Sequence, residues 1–157
     1  MTKLYASSNF HIEELVSPYY IETFGPEKMK RILARYNPFM VKGLETLRAF
    51  LSDESITIND YLWNGVYTNS GLRHPSTSVG AELSGHKFML CTDNKYKTSD
   101  PKDVQEAIMD NQHIHPFIRS MEDYRDTRSS MGQLGRHWHH IQWGYRLPDE
   151  DIDIFRP

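Results

Sequence analysis

The sequence predicts an α+β fold, in which N-terminal helices pack on a small antiparallel or mixed sheet. Leu44, Leu47 and Leu51 recur at helical spacing, which is typical of a helix with one buried face. After residue 54 the apolar period shortens to two, which is typical of strands. Six of the eight histidines lie between His86 and His140, within this second half of the chain. The order is therefore helices first, then a mixed half that holds the histidines.

Three helical segments are predicted before the strands begin. Residues 10–23 predict a short helix and a turn that is broken at Pro18. A second helix is predicted over 26–36, because proline is tolerated in the first turn, where its missing N–H does little harm. Asn37 is expected to cap a third helix over 38–51, whose leucines face a core.

Strand and loop predictions follow for the middle of the chain. Residues 56–58 and 66–68 alternate and are rich in β-branched side chains, so they predict two strands. Residues 71–85 contain glycine, proline and several serines and predict a loop. The apolar run 88–91 predicts a central strand. Another helix is expected to begin at Pro101.

The last third is predicted to contain one loop, one strand and a tail. Residues 122–136 predict an exposed loop, since they are polar and include two glycines. Residues 138–143 predict the last strand, and the acidic segment 149–153 is expected at the surface. The whole chain, 1–157, is interpreted as one domain with a core over about 9–144 and a tail over 145–157.

Composition excludes several classes of function. The apolar fraction is 38% and the aromatic fraction 12%, which suits a globular fold. The net charge is −3 without a basic run, so binding to nucleic acid is not expected. No run approaches the roughly 18 apolar residues of a membrane helix, and no signal-peptide core is present at the start. We therefore expect synthesis in the cytoplasm without a signal peptide and no membrane partner. Cys91, the single cysteine, argues against disulfides and a cysteine-based zinc site.

The histidines offer a candidate metal site. His86 and Asp93 flank an apolar run and are seven residues apart, so a turn into a strand could bring both to one end of a sheet. On the last strand, alternation places His140 on one face with Trp138 and Gln142, and His139 on the other. Two histidines and a carboxylate satisfy a zinc site that keeps a position for water. The alternative is a solvated histidine and a turn-capping aspartate.

Three motifs occur together and in order along the chain. They are Asn69-Ser70-Gly71-Leu72-Arg73-His74-Pro75, then Ser84-Gly85-His86 with an aspartate at 93, then Trp138-His139-His140. Together they resemble the M15 family of peptidoglycan-cleaving zinc metallopeptidases, which includes D-Ala-D-Ala carboxypeptidases and the L-alanoyl-D-glutamate endopeptidases of tailed-phage lysis modules. The likeness spans about residues 9–144, although only the three motifs are specific.

The resemblance implies a role for each matching residue. His86, Asp93 and His140 would bind one Zn²⁺ on a sheet of the peptidase fold. Arg73 would bind a carboxylate or carbonyl of the peptide stem, because its planar fork of donors suits that contact. Ser84 would lie at the edge of the site. The alternatives are an arginine that staples its loop to an acidic residue and a serine that bonds nearby backbone.

The chain departs from the family pattern at three positions. Met89 stands where many members have glycine, and Cys91 stands where they have alanine. His137 stands where several members have a carboxylate that acts as general base. A base would then be His137 itself or a carboxylate of the predicted loop, namely Glu122, Asp123 or Asp126.

Two functions are therefore predicted as alternatives. The first is a zinc-dependent hydrolase that cleaves a bond involving a D-amino acid in the wall peptide stem, as a phage-type lysis or virion-associated enzyme. The second is a catalytically weakened domain of the same fold that binds the wall or forms part of a virion with other virion proteins. In both cases the expected partner is the peptidoglycan stem peptide, reached after release or virion delivery.

Overall fold

A computed structural model describes residues 4–78, 82–129 and 137–156. It confirms the predicted α+β class, with helices packed on a five-stranded sheet. Within these ranges the helices are α1 Ile12–Leu15, α2 Pro18–Phe24, α3 Pro26–Tyr36, α4 Pro38–Phe50, α5 Pro101–Asp110 and α6 Tyr124–Ser129. The strands are β1 Ile56–Thr57, β2 Cys91–Tyr96, β3 Ile118–Glu122, β4 His139–Trp143 and β5 Asp153–Phe155. None of the described helices is both long and apolar enough to cross a membrane.

The sheet has the order β1-β2-β4-β3-β5. Every neighbouring pair is antiparallel except β3 and β5, which are parallel, so the sheet is mixed. The two strands at its centre, β2 and β4, come from segments that are distant in sequence. The face that carries Met121, Ile141 and Trp143 packs against the helices, and a methyl group on Gly43 of α4 would lie 2.5 Å from the Trp143 ring.

Proline and a capping side chain define the helix starts. Helices α2 to α5 all begin with proline at the first position, as the sequence predicted for α3, α4 and α5. Asn37 caps α4 by accepting a hydrogen bond from the Met40 backbone N–H at 3.2 Å, which confirms the prediction. The break predicted at Pro18 is present, since α1 ends at Leu15, but a second helix, α2, and not a turn begins at Pro18, where the lost N–H has no helical acceptor.

Two strand predictions are wrong. Residues 66–68 form a loop, in which the Tyr67 backbone N–H donates to the Asp60 carboxylate at 2.7 Å instead of to a strand. The run 88–91 is not a central strand, because a 3-10 helix occupies Gly85–Phe88 and Met89 then adopts a left-handed conformation with φ of 60°. Strand β2 begins only at Cys91. The left-handed conformation that Met89 adopts generally favours glycine.

The polar segment that follows β3 is more ordered than predicted. Helix α6 forms within the expected loop 122–136, and residues 130–136 lie outside the described part. Asp123 starts α6, since its carboxylate accepts the Arg125 backbone N–H at 3.0 Å. In the tail, Ile152 is buried and Asp153 begins β5, so the segment 149–153 is not wholly surface.

His115 supports a prediction about acid stability. It is buried against Phe50, and neither ring nitrogen has a hydrogen-bond partner among the described residues. Burial, followed by the charges of Arg146 and His113, lowers its pKa to about 4, compared with about 6.5 in an unfolded chain. The unfolded chain therefore binds the proton more readily, so this contribution to stability is complete above pH of about 6.5 and is lost as the pH falls towards 4.

We expect His115→Leu to remove the loss of stability that His115 causes at acid pH. The difference in free energy of unfolding between His115→Leu and wild type should move in favour of the variant between pH 6.5 and 4, as measured by urea titration at each pH. Comparing the two proteins at the same pH cancels the contributions of the other titrating groups to the free energy of unfolding. A difference that stays constant across this range would contradict a buried, neutral His115.

Candidate metal centre

One row of the sheet brings three polar side chains together. Asp93 of β2 pairs directly with His140 of β4. On the other side of β4, Met121 pairs with Ile141, so Glu122 follows beside His140. Directly paired residues of neighbouring strands point to the same face, so Asp93, His140 and Glu122 share the face that points away from the helices.

His86 completes this group from the 3-10 helix that precedes β2. Its Nε2 lies 3.0 Å from Asp93 Oδ1 and 3.3 Å from His140 Nδ1. His140 Nδ1 in turn lies 2.8 Å from the same aspartate oxygen. All three side chains are buried, so two imidazoles and one carboxylate converge on one point away from solvent. The structure thus brings together the residues that the sequence predicted as ligands.

The loop that carries the first motif orients His86. The ring Nδ1 donates to the Gly71 carbonyl at 2.9 Å, and the His86 carbonyl accepts the Arg73 backbone N–H at 3.0 Å. The loop itself lies directly on α1, because a methyl group on Gly71 would lie 2.2 Å from the Leu15 carbonyl oxygen. Glycine at this position therefore lets the motif approach the helix and hold the imidazole.

These contacts place electron pairs against one another. A carbonyl oxygen only accepts, so His86 Nδ1 carries the proton and a neutral ring presents the Nε2 lone pair to Asp93 and His140. Burial lowers the pKa of His86, which favours this neutral form. The Arg73 guanidinium, whose Nη2 lies 2.8 Å from Asp93 Oδ2, favours the charged form of this carboxylate. A charged carboxylate among imidazole nitrogens is the arrangement that a cation completes.

Arg73 contacts Asp93 from outside the point where the three side chains converge. Its Nη2 bonds Asp93 Oδ2 at 2.8 Å, and its Nε donates to the Asn69 carbonyl. The guanidinium is buried and also lines a cavity of about 230 Å³ beside the centre. The other cavity residues are Val66, Tyr67, Thr68, Asn69, Ser70, Asp93, Lys95 and Trp138. Arg73 therefore bonds the carboxylate of Asp93, while part of its guanidinium faces the cavity.

Ser84 immediately precedes the 3-10 helix and is half-buried. Its carbonyl accepts the Lys87 backbone N–H at 2.9 Å, and its side chain makes no capping hydrogen bond. The backbone hydrogen bond of Ser84 therefore shapes the turn that leads to His86.

Three of the four candidate bases differ clearly in their surroundings. Glu122 lies in the same row as His140, and burial raises its pKa while the charges of His140 and Asp93 act on it in opposite directions. Asp123 is paired with Arg125 at 2.5 Å and with Arg156 at 3.2 Å. His137 lines a separate cavity with residues 95–101, which none of the three converging side chains lines. The structure brings Glu122 to the centre and leaves His137 and Asp123 outside it.

His139 confirms the predicted alternation of the last strand. It is fully buried on the opposite face from His140, where its Nδ1 lies 2.8 Å from the Tyr96 hydroxyl. Burial lowers the pKa of His139 to about 3, so the ring is neutral. Strand alternation thus predicted that the two rings lie on opposite faces, whereas the choice of His140 as the ligand was implied by the resemblance of the Trp138-His139-His140 motif.

Lys95 was not among the residues predicted from the sequence. It is buried on the same face as Asp93, two positions along β2, and its Nζ donates to the carbonyls of Ile58 at 2.9 Å and Asp93 at 3.0 Å and to the Ser70 hydroxyl. Burial lowers its pKa to about 8. Strand alternation could have predicted this position of Lys95, because residues 93 and 95 of one strand share a face.

Cys91 also belongs to the centre. Ligand atoms of His86, Cys91 and His140 lie within 4.8 Å of one another, so this group could hold a metal ion. A single cysteine cannot build a cysteine-based zinc site, but its thiol can join ligands of other types. Burial raises the pKa of the thiol.

No protein-family model, curated protein or solved structure matches this chain. The functional proposals below therefore rest on the motifs and on the geometry of the centre.

Proposed function

We propose that this chain is a zinc-dependent hydrolase that cleaves a peptide bond involving a D-amino acid in the stem of peptidoglycan. The observation that carries the proposal is the convergence of His86, Asp93 and His140 at 2.8–3.3 Å within a buried centre. The ordered likeness of the three motifs to M15 peptidases supports the substrate class and a phage-type lysis or virion role.

The converging atoms fit a zinc ion. Ligand bonds of about 2.0–2.2 Å in a tetrahedral site separate the ligand atoms by roughly 3.3–3.6 Å. The three atoms here lie 2.8, 3.0 and 3.3 Å apart, so a bound ion would move them apart by at most about 0.8 Å. His86, Asp93 and His140 would hold the ion, with Nε2, a carboxylate oxygen and Nδ1 as donors. His86 Nδ1 bonded to a carbonyl and Asp93 bonded to Arg73 match the outer contacts that orient zinc ligands.

A bound zinc ion supplies Lewis acidity, which lowers the pKa of water and polarises a carbonyl. Glu122 would accept the proton of the attacking water at a carboxylate oxygen, because it lies beside His140 on the neighbouring strand β3 and on the same face of the sheet. Its raised pKa makes it a stronger base than a solvated glutamate. The same group can then return the proton to the leaving amine.

The adjacent cavity suits an extended peptide with a polar end. Arg73 and Lys95 contribute positive charge to its wall, and Tyr67 and Trp138 contribute ring surfaces. A carboxylate or carbonyl of the stem would approach the exposed part of the guanidinium, while short apolar side chains such as alanine contact the rings.

Arg73→Lys should retain the metal but weaken turnover. A lysine ammonium is a point charge and cannot bond both Asp93 and a substrate group with the geometry of a planar fork. We expect kcat/KM for stem peptides to fall by about 10-fold or more, since one charge-assisted hydrogen bond contributes about 1.5–3 kcal/mol. Steady-state kinetics with metal analysis of the same sample checks this. Unchanged kcat/KM would return Arg73 to a purely structural role.

The alternative is a wall-binding or structural domain without turnover, and the position of His137 outside the centre favours it. Incubation of the zinc-loaded protein with purified wall, with and without chelator, separates the two. Under the proposal, stem peptides are released and chelation stops their release. Wall binding without any release, across wall types and pH values, would support the alternative.

A further inference from the structure

The thiol of Cys91 occupies the same surface of the sheet as the converging ligands. Cys91 precedes Asp93 by two positions on β2, so both side chains point to one face. The side chain is fully buried, and its Sγ lies within 4.8 Å of the ligand nitrogens of His86 and His140. The thiol therefore faces the centre and not the helical core.

The segment that carries His86 covers this thiol closely. A methyl group on Gly85 would lie 3.0 Å from Cys91 Sγ, which is closer than ordinary packing allows. The 3-10 helix Gly85–Phe88 thus passes directly over the sulfur, and the imidazole that follows Gly85 is held beside it. This contact restricts how far the sulfur can move from His86.

Charge supplies an independent reason for a second anionic ligand. Asp93 directs Oδ2 to Arg73 and only Oδ1 to the imidazoles. The charges of Asp93 and Glu122 are thus already balanced by those of Arg73 and Lys95 on the same face, and a divalent cation would leave this centre with two uncompensated positive charges. Burying uncompensated charge is unfavourable, and a thiolate from Cys91 would remove one of them.

We propose that Cys91 binds the metal ion as a thiolate, as the fourth protein ligand beside His86, Asp93 and His140, and thereby closes the site in the resting protein. This inference rests on the proposed function and adds a form of regulation to it. On binding, the Sγ–H bond breaks, its proton passes to solvent, and a sulfur–metal bond forms. Sites with four protein ligands are typically structural, whereas catalytic sites keep one position open. Substrate hydrolysis would then require Cys91 to be displaced and reprotonated.

Cobalt substitution tests the proposal directly. Cys91 is the only cysteine, so a thiolate-to-cobalt charge-transfer band in the near-ultraviolet can arise only from this residue. We expect wild type loaded with Co²⁺ to show that band together with the visible bands of a four-coordinate ion. Cys91→Ala and Cys91→Ser should lose the charge-transfer band and keep the visible bands. Their Co²⁺ affinity should fall by about 10- to 100-fold or more, because even outer contacts of a ligand set change metal affinity by that factor.

Activity provides a second readout. At saturating Zn²⁺, Cys91→Ala should release stem peptides faster than wild type, while Cys91→Ser controls for packing. Visible cobalt bands without the charge-transfer band in wild type would overturn the proposal and leave the hydrolase intact. Failure of wild type to bind Co²⁺ would overturn both. A charge-transfer band in a protein that releases no peptide, in wild type or Cys91→Ala, would support the four-ligand site and overturn the hydrolase.

Discussion

Replacing Glu122 with Gln is expected to lower the rate of stem-peptide release by about 10²- to 10⁴-fold, the usual contribution of a positioned general base. The amide is nearly the same size as the carboxylate but cannot accept the proton of water. Glu122 lies beside His140 in the sheet and is half-buried, so the substitution should leave the strand pairing and the metal content unchanged. Single-turnover measurement of peptide release, with metal analysis of the same preparation, checks the prediction.

His137→Ala and Asp123→Asn are the matched controls, because both residues were candidates from the sequence. His137 lines a different cavity, so we expect its replacement to change the rate by no more than about twofold. Asp123→Asn should act on stability, since its carboxylate pairs with Arg125 and Arg156 and caps α6. A fully active Glu122→Gln beside an inactive His137→Ala would assign the base to His137 and contradict the proposed arrangement.

Removing the metal should lower the melting temperature by roughly 5–10 °C. A ligand that binds only the folded chain, at about 100 times its dissociation constant, stabilises by about 2.7 kcal/mol, and each kcal/mol shifts the midpoint of a chain of this size by about 2–4 °C. A bound ion would also lie between the Asp93 oxygen and the imidazole nitrogens that are 2.8 and 3.0 Å from it. Calorimetry with chelator, followed by added Zn²⁺, measures the shift and its reversal.

His140→Ala provides the matched control for this effect. The variant lacks one ligand, so its melting temperature should be lower than that of zinc-loaded wild type and should not respond to chelator. Asp93→Ala is expected to be less stable again, because it leaves the buried Arg73 guanidinium without its partner. Equal melting temperatures of wild type with and without chelator would show that no metal contributes to folding.

Short-range sequence patterns predicted the helix starts and the faces of the last strand correctly. The starts of α3, α4 and α5 follow from proline at the first turn, and Asn37 caps α4 as expected. Strand alternation predicted that His139 and His140 point to opposite faces, which the structure confirms, whereas the choice of His140 as the ligand came from the resemblance to the M15 motif. Each of these conclusions depends on contacts within a few residues.

The unpredicted features depend on contacts between distant segments. Glu122 was a candidate base from the sequence, but it reaches the centre on β3 and not in a loop, because β3 lies beside β4 in a strand order that no local pattern specifies. Strand β5 forms from an acidic tail because its backbone pairs with β3, and this pairing outweighs its weak strand composition. Met89 adopts the left-handed conformation although it is not glycine, while its side chain is buried. The apolar composition of residues 88–91 alone had predicted a strand at this position.

The metal content of the purified protein tests the central account most directly. Elemental analysis of wild type should find about one Zn²⁺ per chain, as three converging ligands in a single centre require. His86→Ala and His140→Ala should contain almost none, whereas His139→Gln, which changes a buried histidine on the opposite face of the same strand, should retain it. Wild type that contains no transition metal after growth and dialysis with zinc, or alanine variants that retain a full equivalent, would contradict a centre built from His86, Asp93 and His140.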